Sequence, residues 1–266
     1  MRLRNVWVGT LGLALAVTVA CGGGSQSTSS EPAAPAGTPA GQKVDASTAG
    51  DVKGVVTLEG TAPKNEPIKM NADPYCVKSN ATPQSQETYS VNDGKLANVF
   101  VYVKDGLGNY AFDVPTDIAK IDQKDCRYHP HVFGMRVGQK LEILNSDNTL
   151  HNIHALPKGN AEFNTGQPIK DMKTEHTFTA KEVMVPFKCD VHGWMNAYVG
   201  VLDHPYFAVT GPDGTFDLKT LPPGTYTIEA WHEKLGPMTQ SVTVGPKESK
   251  EVNFAFKAPA GASATD

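Results

Sequence analysis

Apolar and polar residues alternate with a period of two through most of the chain, and no long segment repeats with the helical period of 3.6. Val52–Leu58 (VKGVVTL) reads as a strand, and Val99–Val103 (VFVYV) as a continuously apolar strand covered on both faces. Asp105-Gly106 and Gly108-Asn109 mark turns after it. From residue 115 the pattern is strands without helices. Met135–Leu144 alternates around a Gly138-Gln139 turn, and Thr174–Phe178, Val183–Lys188 and Ala197–Leu202 follow as short strands. Beyond 206, Phe207–Thr210 and Thr215–Leu218 flank Gly-Pro-Asp-Gly and read as a hairpin. Thr225–Ala230 puts Tyr226, Ile228 and Ala230 on one face, and Val242, Val244, Val252, Phe254 and Phe256 keep the same period. Short strands with turn signals between them predict an all-β fold of sandwiches.

The first fifty residues break the pattern. Arg2 and Arg4 precede an apolar stretch, Val6–Val19, that is too short for a membrane-spanning helix and reads as a signal peptide over 1–20. Thr18-Val19-Ala20-Cys21 resembles a bacterial lipobox, which implies that Cys21 carries a lipid; the alternative is ordinary cleavage near Ala20. Residues 21–50 are Gly, Ser, Thr, Ala and Pro with few large apolar side chains, the composition of a flexible tether. Residues 258–266 read as a disordered tail. A lipid anchor would be the chain's one membrane contact and would place it at the cell envelope, facing the periplasm or the exterior. The 266-residue chain has a mean hydropathy of −0.32 and a formal net charge of −4, which gives no basis for nucleic-acid binding.

Four cysteines remain to be assigned. Cys21 belongs to the lipobox and Cys189 to a motif with His192 and Met195. Cys76 and Cys126 are left over. An oxidising compartment lets them pair as a disulfide; otherwise they are two buried thiols.

The segment Cys189-Asp-Val-His192-Gly-Trp-Met195 joins the strands VMVPFK and NAYVGVL. Upstream, His151-Asn152-Ile153-His154 follows the strand LEILN. A copper ion that cycles between Cu(I) and Cu(II) requires a soft thiolate, two imidazoles and a weak axial thioether. One short loop and one distant strand supply these parts. A lone Cys-x2-His also occurs in zinc loops, but the four residues together between strands are far more specific. The segment 115–203 is similar to the cupredoxins, amicyanin-like ones above all, in Cys-x2-His-x2-Met, in His-Asn-x-His about forty residues earlier, and in VGQKLEILN leading into it. That resemblance implies a Greek-key β-sandwich and a single copper ion held by His151, Cys189, His192 and Met195, with Asn152 steadying the loop next to the sulfur. Gly193 departs from the amicyanin pattern, where Pro follows the loop histidine. His154 is three residues from His151, so a strand directs the two to opposite faces and only one reaches the ion. His129 and His131 flank Pro130 and could share a face, although structural roles suit them better. Trp194 either packs on the loop or borders an apolar docking patch around an exposed His192.

DGTFDL (213–218), LPPGTYTIEAW (221–231) and VTVGPKESKEVNFAF (242–256) resemble the carboxypeptidase regulatory-like, transthyretin-like domain, a second small β-sandwich. Such domains begin with a strand like VKGVVTL. The expected organisation therefore has 51–114 and 205–257 completing one sandwich, with a cupredoxin domain over 115–204 inserted between them; a tandem order is the alternative. The function implied is one-electron transport between redox protein partners, with His192 as the exit path. The competing readings are a periplasmic copper buffer, chaperone or sensor, and an adhesion or carbohydrate-binding protein with a structural metal. No catalytic triad, paired carboxylates in a recognisable setting or phosphate loop stands out, so the chain is expected not to be an enzyme.

Overall fold

Which side chains the period of two sends inward decides how the sheets close. The computed structural model describes residues 41–260. Within them the chain consists of strands, with one six-residue helix, Pro74–Ser79. The fold class is all-β. The expected signal peptide, Cys21, the first part of the tether and residues 261–266 lie outside the described residues. No helix among the described residues is long and apolar enough to cross a membrane.

The strand Gly50–Glu59 buries Val52, Val56 and Leu58. It runs antiparallel to Thr215–Leu221 and parallel to Ser249–Glu251 and Phe254–Lys257. Lys95–Leu96 and Val91–Asn92 extend the same sheet. A second sheet has the order Phe207–Val209, Phe100–Asp105, Gly224–His232, Gly236–Val244. Val101, Val103, Phe216, Ile228 and Phe254 belong to the core they enclose. This sandwich is thus assembled from two stretches of chain, 50–105 and 207–257.

The intervening stretch forms the other sandwich. One sheet has the order Phe163–Gln167, His151–Ala155, Glu182–Lys188, Asn196–Leu202, Val132–Arg136. The other has Lys173–Thr177, Lys140–Asn145, Ala119–Lys124, Arg127–His129. Asn196–Leu202 lies parallel to Val132–Arg136, and Lys140–Asn145 parallel to Ala119–Lys124. Parallel neighbours cannot be joined by tight hairpins, so the connections cross between the sheets. Ile121, Leu141, Ile143, Ile153, Val185 and Phe187 are buried in this core. Truncating a fully buried phenylalanine such as Phe187 to alanine costs about 3–5 kcal/mol in such a setting.

The continuous apolar run at 99–103 has a specific cause. Val99, Val101 and Val103 face the core of their own sandwich. Phe100 and Tyr102 face the other way, onto Val132, Met184 and Leu202 of the second sandwich. Phe100 can lie flat there because Gly134 and Gly200 are register partners on adjacent strands. A Cβ on Gly200 would come within 2.3 Å of the Phe100 ring.

Two sequence expectations are corrected. Phe207–Val209 and Thr215–Leu221 do not form a hairpin; they lie in different sheets, paired to Phe100–Asp105 and Gly50–Glu59. The turn between them carries the chain across the sandwich, and Thr210 anchors the crossing through backbone bonds to Asn98 and Val99. Residues 41–49, read as tether, run along the fold instead: Gln42 bridges to Tyr110 and Asp45 closes a turn with Ser47 and Thr48.

Candidate metal centre

His151 opens the strand His151–Ala155, directly after a turn that is tied down by its own side chains. Asn145 Nδ2 donates to the Thr149 carbonyl at 3.0 Å, and the Asp147 N–H donates to Asn145 Oδ1 at 2.9 Å. Cys189 and His192 sit on the loop between Glu182–Lys188 and Asn196–Leu202. Two backbone bonds close that loop: Cys189 N–H to the Met195 carbonyl at 3.2 Å, and Met195 N–H to the His192 carbonyl at 2.9 Å. The closure curls the loop so that Cys189 and His192 face His151. One donor atom from each of the three lies within 4.8 Å of the others, and all three side chains are buried. Met195, the last residue of the loop, is buried in the same core.

The ring nitrogens define what this cluster can hold. His151 Nε2–H donates to Asp147 Oδ2 at 2.9 Å, and His192 Nε2–H donates to Asp73 Oδ2 at 2.9 Å. With both Nε2 atoms used as donors, the neutral rings carry their lone pairs on Nδ1. Those two Nδ1 atoms face each other at 2.9 Å, with Cys189 Sγ 4.0 Å from that of His192. Lone pairs so placed repel unless a proton on one ring or a metal ion lies between them. A thiolate and two imidazoles, each imidazole backed by a carboxylate, fit a soft or borderline transition metal.

Electrostatics favour the anionic sulfur. Burial pushes the Cys189 thiol up, but hydrogen bonding from His151, His192 and the adjacent backbone outweighs it and brings it down to about 6. The His192 N–H donates to Sγ at 3.3 Å. Burial disfavours a charged His151, yet Asp147 and Cys189 hold its pKa above the usual imidazole value. Burial likewise opposes charge on Asp147, while His151 and the backbone N–H groups of Cys126 and Asp125 keep it below the ordinary carboxylate range. Asn152 Oδ1 lies 3.2 Å from Cys189 Sγ and accepts the Asp190 N–H at 2.7 Å. Its Nδ2 donates to Asn164 and Asp190, so the amide cannot swing away from the sulfur.

Cys76 and Cys126 are joined by a disulfide. It sits beside the cluster, with Cys76 Sγ 3.7 Å from His192 Nε2. His192 is only 2% exposed, which corrects the expectation of an exposed imidazole serving as exit path. The reason is the polar stretch between Glu59 and Val91, which lies over the loop. Trp194 packs on the loop: its ring lies 5.0 Å from that of His192 and its Nε1–H donates to the Cys126 carbonyl.

The remaining histidines stand apart from the cluster. His154 donates to Asp190 and Glu162 on the opposite face of its strand. His129 is exposed, whereas His131 is buried and pairs with Glu233 of the other sandwich at 2.5 Å. Two carboxylates escaped the sequence reading. Asp147 was signalled by its place four residues before His151 in a polar turn. Asp73 had a weaker sign: Asp followed by Pro at a helix start, a pattern that locates the helix but not its target.

Residues 195–257 match the family model of the carboxypeptidase regulatory-like domain. The match begins at the end of the loop 189–195 and includes Asn196–Leu202, a strand of the other sandwich; the strands between 50 and 105, which share a sandwich with those between 207 and 257, fall outside it. No curated protein matches the chain. Among solved structures, a copper-containing nitrite reductase from Thermus scotoductus SA-01 is 18% identical with a TM-score of 0.32, over 36% of this chain and 24% of that one. A purple cupredoxin from Nitrosopumilus maritimus is 22% identical with a TM-score of 0.28, over 31% of this chain and 98% of its own. The reduced Cu(I) form of an amicyanin mutant is 22% identical with a TM-score of 0.29, over 34% of this chain and 86% of that one. The chain spans about a quarter of the nitrite reductase and most of the two small proteins. The protein is an all-β chain of which residues 195–257 match the carboxypeptidase regulatory-like family model, and the solved structures it is similar to include cupredoxins and a copper-containing nitrite reductase.

Proposed function

We propose that the chain holds one copper ion on His151, Cys189, His192 and Met195, and that it carries single electrons between redox proteins of the cell envelope. The observation that carries this reading is the pair of imidazoles whose free Nδ1 atoms face each other beside a buried thiol. Copper bound there supplies a one-electron couple between Cu(I) and Cu(II). Asp147 fixes the tautomer of His151, and Asn152 steadies the loop beside the sulfur by accepting the Asp190 N–H. The closed loop 189–195 on a rigid sandwich limits how far the donors can move between oxidation states. Burial of all three side chains excludes water. With a thioether as fourth donor, no position is left open for a substrate.

The buffer or chaperone reading calls for an accessible, labile site, which buried donors do not favour. Envelope location is supported by the lipobox-like Cys21 and by the Cys76–Cys126 disulfide, which requires an oxidising compartment. The test is voltammetry of the full chain loaded with one equivalent of copper. A reversible one-electron wave is expected. Copper uptake without such a wave, or loss of the copper to a chelator within the mixing time, overturns electron transport and leaves copper handling.

A further inference from the structure

The loop that carries Cys189 and His192 is covered by a segment from a different part of the chain. After Glu59 the chain leaves its sandwich and lies across the loop before returning at Val91. The segment is cross-bonded internally, Ile68 N–H to the Gln84 carbonyl and Gln86 N–H to the Glu66 carbonyl. It is fastened to the metal-site sandwich by the Cys76–Cys126 disulfide, by Asn80 Nδ2 to the Asp125 carbonyl at 3.1 Å, and by Gln86 Nε2 to the Trp194 carbonyl at 3.1 Å.

Asp73 stands at the point of contact. Its Oδ1 caps the helix Pro74–Ser79 by accepting the N–H groups of Tyr75 at 2.7 Å and Cys76 at 3.3 Å. Its Oδ2 accepts Thr149 Oγ1–H at 2.8 Å and His192 Nε2–H at 2.9 Å. One oxygen therefore holds the cap and the other holds the imidazole, across 119 residues of sequence. The arrangement repeats on His192 what Asp147 does for His151, but with a carboxylate delivered by another element.

We propose that Asp73 is a positioning residue of the metal centre, setting the tautomer and ring orientation of His192 so that Nδ1 is the atom offered to the metal. This rests on the copper reading above. A buried imidazole N–H needs an acceptor. Apart from Asp73, the neighbour that the structure gives His192 Nε2 is a disulfide sulfur at 3.7 Å, a poor substitute. Without Asp73 the ring is free to rotate or to shift its proton onto Nδ1, and either change removes a donor from the cluster. The centre is thereby completed by a segment that neither the metal loop nor its strands encode.

The experiment compares the full-length wild-type chain with Asp73→Ala, Asp73→Asn and Asn65→Ala. Copper affinity is read by chelator competition, and the thiolate-to-copper absorption band is recorded for each. Asp73→Ala is expected to weaken copper binding by about 10–100-fold and to shift the band. Asp73→Asn, which keeps an acceptor oxygen, is expected to recover most of the loss. Asn65→Ala, which breaks bonds to the Tyr89 backbone within the segment and away from the loop, is expected to leave both readouts unchanged. Wild-type affinity and spectrum in Asp73→Ala, or an equal change in Asn65→Ala, overturns the proposal. The metal-free protein supplies an independent readout: a protected His192 Nε2–H resonance in wild type, absent in Asp73→Ala. That proton resonance remains informative if the wild-type chain shows no thiolate band at all, a result that would defeat the copper reading by itself; its absence from the wild type overturns the positioning role.

Discussion

His151 and His192 each have one ring nitrogen tied to a carboxylate, and this decides which nitrogen is left for a metal. Burial has the opposite consequence where no carboxylate is hydrogen-bonded to the ring, even with Asp203 close enough to His204 to oppose it. His204 is 6% exposed and its pKa is pushed down to about 4, by burial first and then by Arg136. The folded chain therefore refuses a proton that the unfolded chain accepts below about pH 6.5. The stabilisation is full above about pH 6.5 and is lost as pH falls towards 4. Between about pH 7 and pH 5 this single residue should remove about 2 kcal/mol of stability. His204→Asn keeps an acceptor for the Tyr206 N–H and should flatten the pH dependence by that amount in urea melts. An unchanged slope would show that the buried imidazole is not the cause. His232, also pushed down to about 4, adds a second contribution of the same sign. That Cys189 and His192 would share one loop facing His151 was legible in the sequence, because Cys and His fall three residues apart between two strands. Asp73 was not, because its partner is set by folding across two sandwiches.

At the scale of elements, the cap over the loop is the feature least visible in the sequence. Between Glu59 and Val91 only the helix Pro74–Ser79 and a bridge between Pro67 and Ser85 organise the chain. What holds the segment in place is the disulfide, which closes a loop spanning 50 residues and is buried at both ends. Constraint of the unfolded chain by such a loop is worth about 2–4 kcal/mol. A Cys76→Ser, Cys126→Ser double variant should lose stability of that order, and hydrogen exchange should quicken over 68–80. Unaltered exchange there would mean that the polar bonds alone secure the cap. The false hairpin at 207–218 has a related origin. A Gly-Pro-Asp-Gly turn between two apolar runs looks the same whether it joins neighbours in one sheet or crosses between two. Only the long-range pairing of Thr215–Leu221 with Gly50–Glu59 distinguishes them.

At the scale of the molecule, two sandwiches share an interface in which Phe100 lies on Gly134 and Gly200, and His131 pairs with Glu233. The apolar run VFVYV announced a strand covered on both faces, and alternation indicated which sets of residues would separate. It could not say that the second cover is another sandwich. Gly200→Ala places a methyl against the Phe100 ring and should weaken the docking by about 1–3 kcal/mol. Calorimetry should then show the single transition broadening or splitting, with the metal cluster intact; a wild-type melt would mean the ring moves aside without penalty.

The measurement that bears most directly on the whole account is the visible and EPR spectrum of the full chain with one equivalent of Cu(II), recorded beside Cys189→Ser. The geometry of Cys189, His151 and His192 predicts an intense thiolate-to-copper band with narrow hyperfine splitting in the wild-type protein, both absent from the variant. A weak spectrum, or one that does not change when Cys189 is replaced, would contradict the ligand assignment and the function built on it.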